Sequence, residues 1–202
     1  MFIHTLSAGQ EAYTYTGRGI EPSISLTTDP QTPIALTKGT DYEIKDYYEV
    51  KEGVATPMYE EDGTTPKAPI NVGSYKISIT GKANYYGTRE LEFTIAKSAV
   101  DWSDNRWVAP VGKTDLKYTG ADMALVTAAT VPEGVTIKYY AKYSSTAFNS
   151  YDYSASQNEE WSEEVPTGKE IGYYAVFYKV EGGDNYLNWG PSEVGIAVNI
   201  DK

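Results

Sequence analysis

Asn71-Val72-Gly73-Ser74-Tyr75-Lys76-Ile77-Ser78-Ile79-Thr80-Gly81-Lys82-Ala83-Asn84-Tyr85-Tyr86-Gly87 is the stretch whose reading decides the fold. Tyr75, Ile77 and Ile79 fall on one parity; Ser74, Lys76, Ser78 and Thr80 fall on the other. A period of two is the signature of a strand with one face in a core and one in water. Gly73 marks a tight entry to that strand. Gly81 to Gly87 supplies the glycine and asparagine that tolerate positive φ at a corner. Beyond the corner, Leu91, Phe93 and Ile95 alternate with Glu90, Glu92 and Thr94, so the two runs form a near-hairpin. Tyr85, and Tyr186 in the matching corner further along the chain, are expected to fold back over the core edge as corner tyrosines.

The same marks recur about 100 residues later, in the same order. Tyr15-Thr16-Gly17 returns as Tyr118-Thr119-Gly120, and Val72-Gly73-Ser74-Tyr75 as Ile171-Gly172-Tyr173-Tyr174. Asn84-Tyr85 returns as Asn185-Tyr186, and the closing run Phe93 to Lys97 as Val198 to Lys202. The spacing drifts by a few residues, as loop insertions make it do. In the second copy Tyr174, Val176, Tyr178 and Val180 form one stripe, and Val194, Ile196, Val198 and Ile200 another. Tyr42, Ile44, Tyr48 and Val50 alternate in part in the first copy, as do Val135, Ile137 and Tyr139 in the second. Two domains follow, residues 1–98 and 99–202. With no Gly/Ser or proline-rich spacer at the boundary, the junction reads as semi-rigid. Short strands, turn signals and no helical periodicity predict an all-β chain of two tandem immunoglobulin-like β-sandwiches. There is no Cys…Trp…Cys pin, which excludes an antibody-type domain.

Composition narrows the function classes. A net charge of −11 repels phosphate backbones and anionic lipid, so nucleic acid and membrane surfaces are not expected partners. The absence of cysteine removes disulfides, thiolate nucleophiles and cysteine-based metal sites. No run of apolar residues is long enough to span a bilayer, and the first ten residues lack the basic and apolar regions of a secretory signal. An exported protein would carry that signal outside this sequence. Tyrosine dominates the aromatics, with 19 Tyr against 4 Phe, which suits half-buried strand positions with wet hydroxyls.

With these marks in hand, the first copy resembles the bacterial Ig-like tandem repeats of large surface proteins. The resemblance rests on Tyr15-Thr16-Gly17, Gly39-Thr40-Asp41-Tyr42, Asn71-Val72-Gly73-Ser74-Tyr75, Thr80-Gly81-Lys82-Ala83-Asn84-Tyr85-Tyr86-Gly87-Thr88 and Phe93-Thr94-Ile95. The second copy, with Tyr118-Thr119-Gly120, Gly172-Tyr173-Tyr174 and Gly182-Gly183-Asp184-Asn185-Tyr186, is similar to a sister form, the MBG type. The copies depart from that pattern by insertions at about residues 54–69 and 144–160. The resemblance implies a repeated extracellular module of a bacterial cell-surface or secreted protein, flanked by other domains of a longer polypeptide. It brings no catalytic residues and no cofactor.

The residues themselves give chemistry little to work with. The one histidine, His4, lies in the first residues, and a triad needs a held histidine. Glu60-Glu61-Asp62, Glu159-Glu160 and Glu163-Glu164 sit among loop residues and read as solvated charge. No Asp-x-Asp-x-Asp-Gly calcium loop is present, and Gly17-Arg18-Gly19 lacks the Gly-Lys-Ser/Thr of a phosphate loop. Lys117 and Asn199 are the pair to consider for an isopeptide crosslink between facing strands. Aromatics are the remaining candidates. Trp102 and Trp107 are expected at the joint between the copies, with Trp161 and Trp189 capping the second core. Tyr173 and Phe177 should face away from it, if Tyr174 and Val176 face in. The candidate ligand or partner surface is therefore Tyr151, Tyr153, Trp161, Tyr173 and Phe177. The leading expectation is a non-enzymatic spacer and interaction module, with no cofactor and no metal. The alternatives are a glycan- or host-ligand-binding adhesion module and accessory domains of a secreted carbohydrate-active enzyme.

Overall fold

A computed structural model describes residues 5–8, 11–27, 34–149 and 159–202, and divides the chain into two compact units, Met1–Ser98 and Ala99–Lys202. The described residues are all-β and contain no helix.

The first unit holds β1 (Thr5–Ala8), β2 (Ala12–Thr14), β3 (Ile24–Thr27), β4 (Ile34–Ala35), β5 (Tyr42–Lys51), β6 (Val54–Met58), β7 (Gly73–Gly81) and β8 (Thr88–Ala96). One sheet runs β1-β3-β4, and the other β2-β8-β7-β5-β6. β7 and β8 pair antiparallel with Tyr75 opposite Phe93 and Ile77 opposite Leu91, so the two apolar stripes lie side by side. Tyr42, Tyr47, Tyr75, Ile77, Ile79, Phe93 and Ile95 of the larger sheet form one buried cluster with Ile24 of β3. The core therefore lies between two sheets, a sandwich-like arrangement. Phe93 is 2% exposed, with the Tyr75 ring 5.7 Å away and Tyr13 edge-on at 5.9 Å.

Parity fails in β5, for a local reason. The pairing of β5 with β7 slips between Ile44 and Asp46, a β-bulge at Lys45. One extra residue exchanges the two faces of everything beyond it. Tyr42 faces in, but after the bulge Tyr47 (2% exposed) takes the core position and Tyr48 turns outward beside Asp46. The segment at 54–69 supplies the edge strand β6, paired to β5 in a hairpin with Pro57 on it. Proline belongs on an edge, where no ladder donor is needed.

The second unit contains β9 (Leu116–Lys117), β10 (Met123–Ala124), β11 (Thr136–Ser144), β12 (Thr167–Gly168), β13 (Gly172–Glu181) and β14 (Ile196–Asp201). Its sheets are β10-β12 and β11-β13-β14-β9. Leu125 and Val126, just beyond β10, pack with Tyr139, Tyr174, Val176, Val198 and Ile200 in its core. Val194 lies ahead of β14 and is 60% exposed, so the last apolar stripe starts at Ile196.

Three features recur in both units. In each, a short early strand runs parallel to the closing strand: β2 with β8, and β9 with β14. The residue after that early strand donates its N–H across the pair, Tyr15 to Ala96 O (2.9 Å) and Tyr118 to Asp201 O (2.8 Å). A tyrosine near the start of the penultimate long strand folds its hydroxyl back to the carbonyl four residues upstream. Tyr75 bonds Asn71 O at 2.8 Å, and Tyr174 bonds Glu170 O at 2.9 Å. The hydroxyl bond to the backbone belongs to Tyr75 and Tyr174, while Tyr186 is folded in at 2% exposed and Tyr85 is half-buried. Those two lie in the following corner, where a Cβ on Gly81 or Gly182 would collide with the backbone of Tyr85 or Tyr186. The corner is closed by backbone, so the glycine matters more there than the ring beside it.

Candidate functional site

The two units share a frame and differ on the outward face of the large sheet. In the first unit that face is polar. Lys76 pairs with Glu92 at 3.3 Å, and Asp46 accepts the hydroxyls of Tyr48 (3.3 Å) and Tyr59 (2.9 Å). In the second unit the equivalent face is aromatic. Tyr140 of β11 lies directly opposite Phe177 of β13, their rings stacked with centroids 6.4 Å apart. Trp161 packs on Tyr140 at 5.9 Å. Lys179 Nζ sits 5.0 Å from the Trp161 ring, and Lys142 Nζ 5.3 Å from that of Phe177, both within cation–π range.

Phe177 faces away from Tyr174 and Val176, yet it is 0% exposed. The outward position is roofed by its own neighbours. A Cβ on Gly195 would press the Phe177 ring, so the chain ahead of β14 packs against it as well. Phe177 is thus an internal packing residue of a second apolar layer and not a ligand contact. Tyr173, at 36%, is exposed, near Tyr143 and Ile171, whose carbonyl accepts the Tyr143 hydroxyl at 3.1 Å. Trp161 is half-buried on this outer face and does not cap the main core. Tyr151 and Tyr153, like His4, lie outside the described residues. Of the candidate surface, the structure gathers Trp161 and Phe177 and leaves Tyr173 apart from them.

Beside Trp161 a shallow depression of about 300 Å³ is lined by Tyr139, Tyr140, Glu160, Ser162, Glu164 and Thr167. Burial, and then the Glu159 carboxylate, push the Tyr140 phenol above its usual range. Aromatic carbon beside carboxylates and hydroxyls can accept the C–H face and the hydroxyls of a sugar. Sequence reasoning missed Tyr140, because the alternation in this strand was traced through Ile137 and Tyr139 on the opposite face.

The other tryptophans belong to the second unit itself. Trp102 stands edge-on to Trp107 (5.6 Å), Tyr178 (5.7 Å) and Trp189 (5.4 Å), and Trp107 to Tyr186 (5.0 Å). Trp107 is 3% exposed and Tyr186 2%. The rings that Trp102 and Trp107 pack on, Trp189, Tyr178 and Tyr186, belong to their own unit. The cause is the pair of turns at Asp101 and Asp104. Asp101 Oδ1 accepts Ser103 N (2.9 Å), and the Asp104 carboxylate accepts Arg106 N and its guanidinium. These turns reverse the chain and bring both indoles to the far end of β13. The indole N–H of Trp102 is buried with no hydrogen-bond partner among the described residues. That costs about 1–3 kcal/mol, which packing against three rings offsets.

The acidic loops are used locally. In Glu60-Glu61-Asp62, the Asp62 carboxylate accepts the Thr64 and Thr65 amides (2.8 and 2.7 Å) and the Thr65 hydroxyl. The Thr65 hydroxyl, then the two amides, lower its pKa from 3.8 to about 2. A depressed carboxylate pKa means that the turn's contribution is complete above pH 3.8 and is lost as pH falls through about 2. In a carbon-detected NMR titration Asp62 is expected to titrate near 2, and Thr65→Ala should move it back toward the ordinary carboxylate range. A midpoint unchanged by Thr65→Ala would contradict this assignment. Among the described residues, no three His, Asp or Glu side chains gather to hold a metal.

Lys117 and Asn199 do approach one carboxylate. Lys117 Nζ pairs with Asp201 Oδ2 at 3.4 Å, and Asn199 Nδ2 donates to Asp201 Oδ1 at 2.8 Å. Lys117 and Asp201 are more than half exposed, at 64% and 52% of their side chains.

No family model, no curated protein and no solved structure matches the chain. No helix among the described residues is long and apolar enough to cross a membrane.

Proposed function

We propose that this chain is a non-enzymatic structural and interaction module of a bacterial cell-surface or secreted protein, made of two immunoglobulin-like β-sandwich units. The supporting observation is the shared frame. Both units keep the parallel early-and-closing strand pair and the tyrosine hydroxyl bond, while their outward faces differ in chemistry. A frame repeated without repeated chemistry suits a spacer that presents other parts of a polypeptide. Several described acids are engaged in turns on the surface, as with Asp62, Asp101 and Asp104. The expected partners are neighbouring domains of a longer chain, and the expected place is outside the cell.

A second reading, adhesion to a glycan, is supported by Trp161 and Tyr140 beside the depression lined by Glu160, Glu164 and Ser162. A glycan array separates the two. The spacer reading expects no saturable binding above background for the intact chain. Binding that is lost in Trp161→Ala, with the fold retained by circular dichroism, would overturn it in favour of adhesion.

A further inference from the structure

The recurrent parallel pair carries a consequence for force. Tension on a unit enters ahead of its first strands and leaves after its closing strand. In the second unit, residues 108–113 pair antiparallel with 125–130, through Val108 with Thr130 in both directions (2.9 Å each), Thr127 N to Val111 O (2.8 Å) and Lys113 N to Leu125 O (2.8 Å). The chain then crosses to the other sheet. There β9 runs parallel to β14, with Leu116 opposite Ile200, Lys117 opposite Asp201 and Tyr118 N donating to Asp201 O at 2.8 Å. The first unit does the same: β1 pairs antiparallel with β3, and β2 then runs parallel to β8 over Ala12–Thr14. Thr94 N to Glu11 O and Tyr15 N to Ala96 O, both 2.9 Å, bracket that pair.

Two parallel strands pulled from the start of one and the end of the other slide along their common axis. Their inter-strand hydrogen bonds, which lie across that axis, are then loaded together rather than in sequence. An antiparallel hairpin opened at its loop breaks its bonds one after another. We propose that each unit is a mechanical clamp, in which the parallel pairs β2–β8 and β9–β14 bear chain tension in shear. The further function is resistance to pulling between the points where the polypeptide is held. Its use rests on the proposed surface role; its mechanics do not.

Single-molecule force spectroscopy on the full chain tests this. Because the sequence has no cysteine, introduced thiols give unique handles. Pulling from handles added at the two ends loads both clamps. Pulling between Asp184→Cys and Val194→Cys, two exposed positions near the two ends of the β13–β14 connection, opens that hairpin from its loop. The expected result is two end-pulled unfolding events at forces several-fold above the hairpin-pulled event. Tyr118→Pro, which deletes one donor of the second clamp, should lower the force of one end-pulled event and spare the other. Equal forces in the two geometries would overturn the proposal, and so would a folded Tyr118→Pro chain with both end-pulled events unchanged. If that variant does not fold, the geometry comparison decides alone. An isotropic result removes the clamp and leaves the spacer reading, which stands or falls on surface display.

Discussion

Phe177→Ala is expected to destabilise the second unit by about 3–5 kcal/mol, the usual cost of emptying a buried phenylalanine site. The ring is 0% exposed, stacked with Tyr140 and pressed by the backbone at Gly195. Its removal leaves a void on the outer face of the sheet, beside Tyr140 and under the chain at Gly195, where the paired strands limit how far the site can close. Tyr173→Ala, four residues back along β13 on the same face and 36% exposed, should cost no more than about 0.5 kcal/mol. Urea unfolding of the two variants, followed by near-UV circular dichroism, measures both. Comparable small losses would mean that Phe177 lies on an open surface after all, and the aromatic layer would return as a candidate binding face.

Trp107→Ala should cost a similar amount, about 3–5 kcal/mol, confined to the second unit. Trp107 is 3% exposed and meets Tyr186 and Trp102 edge-on, geometry that adds to its area burial. Differential scanning calorimetry of the full chain reads the locality. The transition of the second unit should fall by several degrees, and that of the first should hold. A matching fall in both transitions would place the ring at a joint between the units, as the sequence alone suggested.

Much of the frame was legible because period two is a strong signal where one face is buried. Tyr75, Ile77 and Ile79, and Tyr174, Val176 and Val180, are buried as their alternation requires. Glycine placement was legible too, since Gly81 and Gly182 stand where any Cβ would meet backbone. What escaped was whatever depends on partners distant in sequence. The bulge at Lys45 leaves no mark in composition, so Tyr47 and Tyr48 exchanged faces unannounced. The outward side of Phe177 was readable, but its burial was not, because the roof comes from Tyr140, Trp161 and Gly195 on other segments. The hydroxyl bonds of Tyr75 and Tyr174 escaped for a related reason. A hydroxyl bond to a carbonyl four residues upstream depends on how Asn71 and Glu170 enter their strands, and alternation does not encode that.

The central claim is that the chain is displayed outside the cell as a structural module. Brief protease treatment of intact cells of the source organism, with mass spectrometry of the released peptides, tests it most directly. The account predicts peptides from both units, residues 1–98 and 99–202, released without cytoplasmic markers. A chain that stays protected until the cells are lysed, and then partitions with the cytoplasmic proteins, would contradict it.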